Sequence, residues 1–180
     1  TLVWQRKLQG FTGSTGGYAV ALDSSGNPYF VGYYGSTPRY NFILKYDTSG
    51  TVQWIRRFYR SGATSGTPIG ACFDSSNNLY VSGKTSDGTK EYAFAISYSS
   101  SGTVLWQTFL NVDQNAFGGY KSVIYSGNLF LAVGQNYSGV VKISSTGSAR
   151  GVLDSVLLAA AGSFTTDTPG DVEAAGTATA

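Results

Sequence analysis

The sequence predicts an all-β protein made of a repeated four-stranded unit, and three observations support this prediction. Gly supplies 24 of the 180 residues, whereas charged residues make up only 12 %. The chain contains 13 Tyr, 10 Phe and 3 Trp, which are residue types that favour strands. Similar segments recur about every 51 residues. Together these features indicate short aromatic strands joined by glycine-containing turns, and they exclude an all-helical protein.

Two series of residues mark the repeated unit. A Trp recurs at intervals of 50 and 52 residues, at Trp4, Trp54 and Trp106. A Gly recurs at intervals of 51 residues, at Gly32, Gly83 and Gly134. Each Gly closes a run of aromatic and β-branched residues that begins with Asn, a composition typical of strands. The chain therefore contains three copies of one unit of about 50 residues.

Each copy divides into four short strands, because Gly, Ser, Asn and Asp separate its apolar runs. Asp and Asn bond their own backbone in turns, and Gly accepts a positive φ. In the first copy the predicted strands are 17–23, 28–34, 40–47 and 51–59. In the second they are 68–74, 79–84, 91–98 and 103–110, and in the third 119–125, 128–134, 138–144 and 147–153. Residues 1–9 supply an extra strand of the fourth kind.

Four strands in about 50 residues are the signature of a β-propeller blade. We predict blades over about 10–59, 62–110 and 117–153, with residues 1–9 as an extra outer strand. Residues 154–180 change to an Ala/Thr/Gly-rich composition, which predicts a linker or an extended tail. Because a closed propeller needs about four or more blades, this ring is incomplete. We expect another segment or another chain to complete it.

The recurring residues are expected to have different roles according to their positions. A blade buries its faces against neighbouring blades, so the three Trp and the three Gly are expected to form the contacts between blades. Stacking of one Trp on a sugar or a partner is the alternative. Four tyrosines stand at strand ends beside loops and are expected to form a contact surface. They are Tyr33, Tyr34, Tyr40 and Tyr59.

A known repeat family resembles the first copy. Residues 23–32 read Asp-Ser-Ser-Gly-Asn-x-Tyr-x-x-Gly, and residues 42–54 read Phe-Ile-x-Lys-Tyr-Asp-x-x-Gly-x-x-x-Trp. This string resembles the SBBP-type β-propeller repeat of bacterial and viral proteins. The similarity extends over 1–150, although the third copy lacks the Asp of its first turn and the Trp. The resemblance implies a propeller that acts as a structural or binding module, with no shared catalytic residues. The tail is similar to stretches that follow propeller repeats in phage virion proteins.

One residue type that much enzyme catalysis needs is missing. The chain has no His, which removes the imidazole of catalytic triads and of many metal sites. Asp23-x-Ser25-x-Asn27 and Asp74-x-Ser76-x-Asn78 place oxygens as a calcium loop does, but neither is followed by the Glu of such a loop. We therefore expect no cofactor and no bound metal. The single Cys72 lies in an apolar run and is expected to be a core residue.

Charge and hydropathy limit the partners. Residues 1–150 hold 12 basic and 6 acidic residues, a net charge of +6, and residues 151–180 hold 4 acidic residues and no basic one. So sparse a basic content predicts no nucleic-acid binding. The longest aliphatic run is far shorter than the roughly 20 residues that span a bilayer, so we expect no membrane insertion.

These observations favour a non-enzymatic structural or binding module, located in a virion as part of a phage tail fibre or tail tip and involved in assembly or host attachment. Its expected partners are the chains or segments that complete the ring, and a glycan or protein of the host surface. The alternative hypothesis is a secreted or cell-surface propeller that binds carbohydrate or protein. A sialidase-like enzyme is a third hypothesis, for which the candidate residues are Arg39, Arg56 and Arg60.

Overall fold

The computed structural model describes residues 1–110, 117–135, 138–147 and 164–166. These residues form twelve antiparallel β-strands and no helix, so the described part of the chain has no helix that could cross a membrane. The prediction of an all-β fold is confirmed. The strands are β1 (Thr15–Leu22), β2 (Pro28–Tyr34), β3 (Tyr40–Tyr46), β4 (Val52–Arg60), β5 (Ser65–Phe73), β6 (Leu79–Ser86), β7 (Glu91–Tyr98), β8 (Val104–Leu110), β9 (Phe117–Tyr125), β10 (Asn128–Gln135), β11 (Ser138–Ser144) and β12 (Phe164–Thr166).

The strands form three separate sheets. Sheet 1 has the order β1-β2-β3-β4-β12, sheet 2 the order β5-β6-β7-β8, and sheet 3 the order β9-β10-β11. Of the twelve strands predicted for the three copies, eleven are present, with ends that differ from the prediction by at most three residues. The predicted strand 147–153 lies outside the described residues except for Gly147, which is in a turn.

Two segments differ from their predicted structure. Residues 1–9 form no strand but a single isolated bridge at Lys7. Leu8 instead packs with Phe42 and Leu44, so this segment contacts the face of sheet 1 and does not extend a sheet edge as a strand. In the predicted linker, Phe164–Thr166 form β12, which pairs with β4 at the outer edge of sheet 1. The remaining residues of 154–180 lie outside the described ranges.

The hairpin turns follow from their Asp and Gly residues. The Asp23 carboxylate accepts hydrogen bonds from the backbone N–H groups of Ser25 and Asn27, which closes the β1–β2 turn. Asp74 closes the β5–β6 turn in the same way. In the β3–β4 turn Gly50 has φ +80°, a conformation that L side chains rarely adopt.

The repeated Gly of the second strand is needed for close approach of backbones. A Cβ on Gly83 would lie 2.2 Å from the Thr67 carbonyl oxygen and 2.7 Å from Pro68 Cα. A Cβ on Gly32 would meet the Gly16 carbonyl oxygen at 2.3 Å. Each of these glycines faces a β-bulge in the first strand of its sheet. A bulge brings the two backbones together and increases the local twist.

Gly134 does not occupy this position in sheet 3. The paired residues Gly32↔Phe42 and Gly83↔Phe94 correspond by register to Val133↔Gly139. The Asn-to-Gly run of the third copy is one residue longer, and a shift of one residue moves a side chain to the other face of a strand. In sheet 3 the pair again joins a Gly to a larger residue, but the Gly lies on the third strand and the larger residue on the second.

The three sheets stack face to face. In sheets 2 and 3, the face that contacts the preceding sheet is called the front face, and the opposite face is called the rear face. The faces of sheet 1 are named by the residues that occupy the corresponding positions in the strand register. One apolar cluster joins the rear face of sheet 1, including Tyr29 and Ile43, to the front face of sheet 2, including Val81 and Phe94. A second cluster joins the rear face of sheet 2 to the front face of sheet 3. The same kind of interface is thus used twice.

Candidate assembly faces and aromatic rim

The tryptophans on the fourth strands β4 and β8 each donate a hydrogen bond to a turn of the next sheet. Trp54 lies on β4 of sheet 1, and its indole N–H donates to the Ser100 carbonyl oxygen in the β7–β8 turn of sheet 2 at 3.4 Å. Trp106 of sheet 2 donates to Ser145 beyond β11 of sheet 3 at 2.7 Å. Trp4 makes the same contact with Thr48 in the β3–β4 turn of sheet 1, at 3.1 Å. Trp54 and Trp106 therefore lie between successive sheets, whereas Trp4 joins the segment before β1 to sheet 1.

An arginine two residues after the tryptophan reinforces two of these contacts. Arg56 Nε donates to the Gly102 carbonyl oxygen at 3.1 Å, and Arg6 Nε donates to the Gly50 carbonyl oxygen at 2.8 Å. The guanidinium groups also lie over the Trp54 and Trp4 rings, 5.2 and 5.7 Å from their centroids. We call each such Trp and Arg pair with its turn a clamp. In the third clamp Thr108 replaces the Arg.

The glycine of each turn makes room for the clamp. A Cβ on Gly50 would lie 2.9 Å from Trp4, and one on Gly147 would lie 2.8 Å from Trp106. Sequence reasoning identified the tryptophans but missed the arginines. The signal that could have identified them is the pattern Trp-x-Arg, which is present in the first two occurrences and absent from the third.

The front face of sheet 1 has no sheet against it in the described structure. Residues 1–11 cover part of it, with Leu8 packed beside Phe42 and Leu44. The uncovered part is an apolar groove of about 450 Å³ whose lining includes Phe30 and Val20. Val20 is 64 % exposed, whereas its counterpart Ala71 in sheet 2 packs in the interface. This face is built like the interface faces but remains open.

Among the described residues, the rear face of sheet 3 is the second face with no sheet against it. Its exposed apolar side chains include Val123, Tyr125 and Val140, with exposed fractions of 58, 75 and 58 %. Phe130 lies between Val123 and Lys142 in the register, and the Lys142 ammonium is 5.8 Å from its ring centroid. The two open faces lie at opposite ends of the stack. One of them is a front face and the other is a rear face. Each interface inside the stack also joins a rear face to a front face.

Three of the four predicted contact tyrosines form a cluster at one end of sheet 1. The Tyr40 ring is 5.5 Å from the Tyr34 ring and 5.1 Å from the Tyr59 ring. Phe11 stacks on Tyr34 at 4.3 Å. Arg57 donates to the Tyr34 hydroxyl and lies over the Tyr40 ring. We call these five residues the aromatic rim. Its four rings mainly contact one another and Arg57.

Tyr33 lies on the other face of β2, since it precedes Tyr34 in the strand. The Arg39 guanidinium is 4.6 Å from its ring centroid, and the Tyr18 ring is 5.7 Å away. Tyr18 is 45 % exposed. This pair of rings with a cation beside them is the most accessible aromatic arrangement among the predicted contact residues and their neighbours.

A polar cluster links sheets 1 and 2 at the same end. Arg60 lies over the Tyr92 ring at 4.2 Å and within 3.7 Å of the Asp87 carboxylate. The backbone amides of Lys90 and Thr89 lower the pKa of Asp87 to about 2. The Asp87 carboxylate stabilises the β6–β7 turn by accepting hydrogen bonds from the backbone N–H groups of Thr89 and Lys90.

The arginines considered for a sialidase-like site are not brought together. Arg56 is held in its clamp, whereas Arg60 contacts Asp87 and Arg39 contacts Tyr33. No group of three or more His, Cys, Asp or Glu side chains suited to a metal occurs among the described residues. The carboxylates of Asp23 and Asp74 are used in their own turns.

Cys72 is partly buried, and its Sγ is 3.8 Å from the Ser122 hydroxyl across the interface of sheets 2 and 3. Burial raises the pKa of its thiol. A thiol with a raised pKa is a poor nucleophile at neutral pH.

Comparison with protein-family models gives no match, and comparison with curated proteins gives none either. Among solved structures, a protein of unknown function from Bacteroides caccae is similar, with a TM-score of 0.52 and 17 % sequence identity. The similarity covers 82 % of this chain and 47 % of that one, so this chain spans about half the length of its structural neighbour. At this identity the similarity concerns the fold alone.

Proposed function

We propose that this chain is a non-enzymatic structural module of the β-propeller type that works inside a larger assembly. The observation that carries the proposal is the repeated interface, used twice within the chain and left open once at each end. Exposed apolar faces of this kind mark interaction sites. The resemblance of the repeat and tail to phage proteins extends the proposal to a virion component that serves in assembly or host attachment.

The proposal predicts association of the purified chain through the open faces. Size exclusion with light scattering should give a mass above the 19.0 kDa of the chain. Val20→Asp combined with Val140→Asp should return it to the single-chain mass, because a carboxylate on each open face opposes apolar contact. Both residues are exposed, so the fold should tolerate the change.

Leu105→Asp is the control, because Leu105 is 51 % exposed on β8 of the middle sheet and lines the cleft between sheets 2 and 3 rather than the groove on sheet 1. It should leave the mass of the assembly unchanged. A wild-type chain that stays at 19.0 kDa at every concentration tested would contradict the structural role.

Carbohydrate binding is the second candidate function, and the accessible Tyr18 beside Tyr33 and Arg39 favours it. Aromatic rings stack on the apolar faces of sugars, and a guanidinium donates to their hydroxyls or carboxylates. Binding on a glycan array should disappear in Tyr18→Ala and Tyr33→Ala. Tyr125→Ala is the control, because Tyr125 is exposed on sheet 3. Equal binding by all three variants would exclude this site.

A further inference from the structure

Two sets of three residues share one arrangement, in which a Lys or Arg lies over a Tyr ring and beside an Asp carboxylate. They are Lys45 with Tyr29 and Asp23, and Arg60 with Tyr92 and Asp87. The Lys45 ammonium is 3.6 Å from the Asp23 carboxylate and 5.0 Å from the centroid of the Tyr29 ring. For Arg60 the corresponding distances are 3.7 and 4.2 Å. Because a carboxylate and a ring face both attract a cation, each set is a cation site filled by a side chain of the chain itself.

Asp74 and Tyr80 form a third pair of this kind, in sheet 2. The Tyr80 hydroxyl donates a hydrogen bond to the Asp74 carboxylate at 3.0 Å. Tyr80 pairs with Ser97 in the strand register, in the position where Tyr29 pairs with Lys45 in sheet 1. A short hydroxyl therefore replaces the side chain that supplies the cation in sheet 1.

A cleft of about 600 Å³ between sheets 2 and 3 is lined by both Asp74 and Tyr80. Its walls also include the apolar Leu105 of β8 and Ile124 of β9. Among the described residues that line the cleft, Asp74 is the one charged side chain. Burial opposes ionisation of this carboxyl group, but hydrogen bonds from Asn78 and Tyr80 lower its pKa, so it is charged at neutral pH. The cleft therefore combines a negative charge with apolar walls.

The cleft lies where the preceding interface has a contact between two turns. Between sheets 1 and 2, Asn77 of the β5–β6 turn exchanges two hydrogen bonds with Ser24 of the β1–β2 turn, at 2.7 and 2.9 Å. The β9–β10 turn of sheet 3 has two residues between its paired strands, whereas the β5–β6 turn has five. Its Gly127 has φ +70°, close to the +60° of Asn77, but no side chain. Among the described residues, only its chain neighbours would lie within 4 Å of a Cβ on Gly127. The short turn thus leaves the interface of sheets 2 and 3 open at this place.

We propose that this cleft binds a primary alkylammonium group, in the place that corresponds to the Lys45 side chain of sheet 1. The ammonium lies beside the Asp74 carboxylate, and the alkyl chain packs against Leu105 and Ile124. The Tyr80 hydroxyl donates to Asp74 and can accept a hydrogen bond from the ammonium through its lone pairs. Both a small amine and a lysine side chain of a partner protein carry this group. The cleft is separate from the open faces, so the site does not depend on the proposed structural role.

Titration of the nitrogen-15-labelled full chain with n-butylammonium chloride tests the site, because this ion has the length of a Lys side chain. At constant chloride concentration, the backbone amide signals of Ser75, Ser76 and Gly127 should shift and saturate. The Kd should be in the millimolar range, since so small a ligand makes few contacts. n-Butanol has the same alkyl chain without the charge and should give no saturable shift. Equal binding of both compounds, or saturable shifts with neither, would overturn the proposal.

Variants of two turn aspartates test the role of the charge. Asp74→Asn should weaken binding of n-butylammonium by about tenfold or more, because the negative charge is lost while an acceptor oxygen remains. Asp87→Asn is the matched control. Asp87 also accepts hydrogen bonds from two backbone N–H groups and a Tyr hydroxyl, but it lies in the β6–β7 turn outside the cleft. The control should leave the Kd unchanged, and an equal Kd in all three chains would contradict the site.

Circular dichroism first verifies that each variant folds. If Asp74→Asn does not fold, Gly127→Asn replaces it, because Asn tolerates a positive φ in an exposed turn. Its amide should reach Ser75 as the Asn77 amide reaches Ser24, which narrows the cleft and weakens binding. Unchanged binding by this variant would count against the site.

A peptide with one lysine, acetyl-Gly-Lys-Gly-amide, distinguishes the two sources of the ammonium group. Tighter binding of the peptide than of n-butylammonium assigns the site to a lysine side chain of a partner protein, and the reverse order assigns it to a small amine. Acetylation of the lysine Nζ removes the charge and should abolish binding of the peptide. Equal binding of the acetylated peptide would overturn the proposal. None of these results depends on the mass of the chain, so failure of this site leaves the structural role standing.

Discussion

At the scale of single residues, backbone proximity explains why Gly is required at positions 32 and 83. A side chain there would collide with carbonyl oxygens of the neighbouring strand rather than with movable side-chain atoms. Gly134 shows the limit of reading such positions from spacing. The interval of 51 residues is regular, but the third run has one extra residue. Val133 therefore takes the place in the strand register that Gly32 and Gly83 take in sheets 1 and 2.

Gly83→Ala tests this requirement. The added methyl group should lower the free energy of unfolding by about 1–3 kcal/mol or more, as overpacking does. Chemical denaturation measures the change. Gly62→Asn is the control, because Gly62 has open space around it and Asn tolerates its φ of +75°. Equal stability of Gly83→Ala and the wild type would contradict the close approach.

Asp87 gives a pH-dependent prediction. Its pKa is about 2 in the folded protein against an ordinary 3.8, so its charged form stabilises the fold. This contribution is complete above about pH 4 and is lost as the pH falls through 2. A carbon-13 titration of the Asp87 carboxyl group should show a midpoint near 2, and the stability of Asp87→Asn should depend less on pH between 2 and 4. A midpoint near 3.8 would refute the capping role.

At the scale of elements, the sequence predicted the strands well because turn residues and alternating apolar residues are local signals. Most strand ends lie within two residues of their predicted positions. The clamps are contacts between residues more than 38 positions apart, and only their Trp was evident from recurrence. Residues 1–9 form no strand, and β12 pairs with β4. Both features depend on residues distant in the sequence, so local patterns could not predict them.

The incomplete third clamp allows a stabilising substitution. Thr108→Arg should place a guanidinium beside the turn that ends at Gly147, as Arg56 lies beside the Gly102 turn. The expected gain is about 1 kcal/mol, since the hydrogen bonds involve a charged group in a solvated position. Arg56→Ala should lose a similar amount. Thermal unfolding measures both changes. A lower melting temperature for Thr108→Arg would contradict the equivalence of the clamps.

At the scale of the whole molecule, the sheets in the described ranges repeat one front-to-rear interface and leave one open face of each kind. The open groove on sheet 1 and the exposed residues of sheet 3 lie in positions that are buried elsewhere in the stack. Of the four tyrosines predicted to contact partners, three pack mainly with one another, because a strand end brings neighbouring rings into contact. Contacts with partners are therefore expected first at the open faces.

Native mass spectrometry of the full wild-type chain tests the central claim most directly. Association through the two open faces predicts species heavier than the 19.0 kDa of the chain. Val20→Asp with Val140→Asp should shift these species to 19.0 kDa. A wild-type spectrum with the monomer alone at every concentration tested would contradict the structural role.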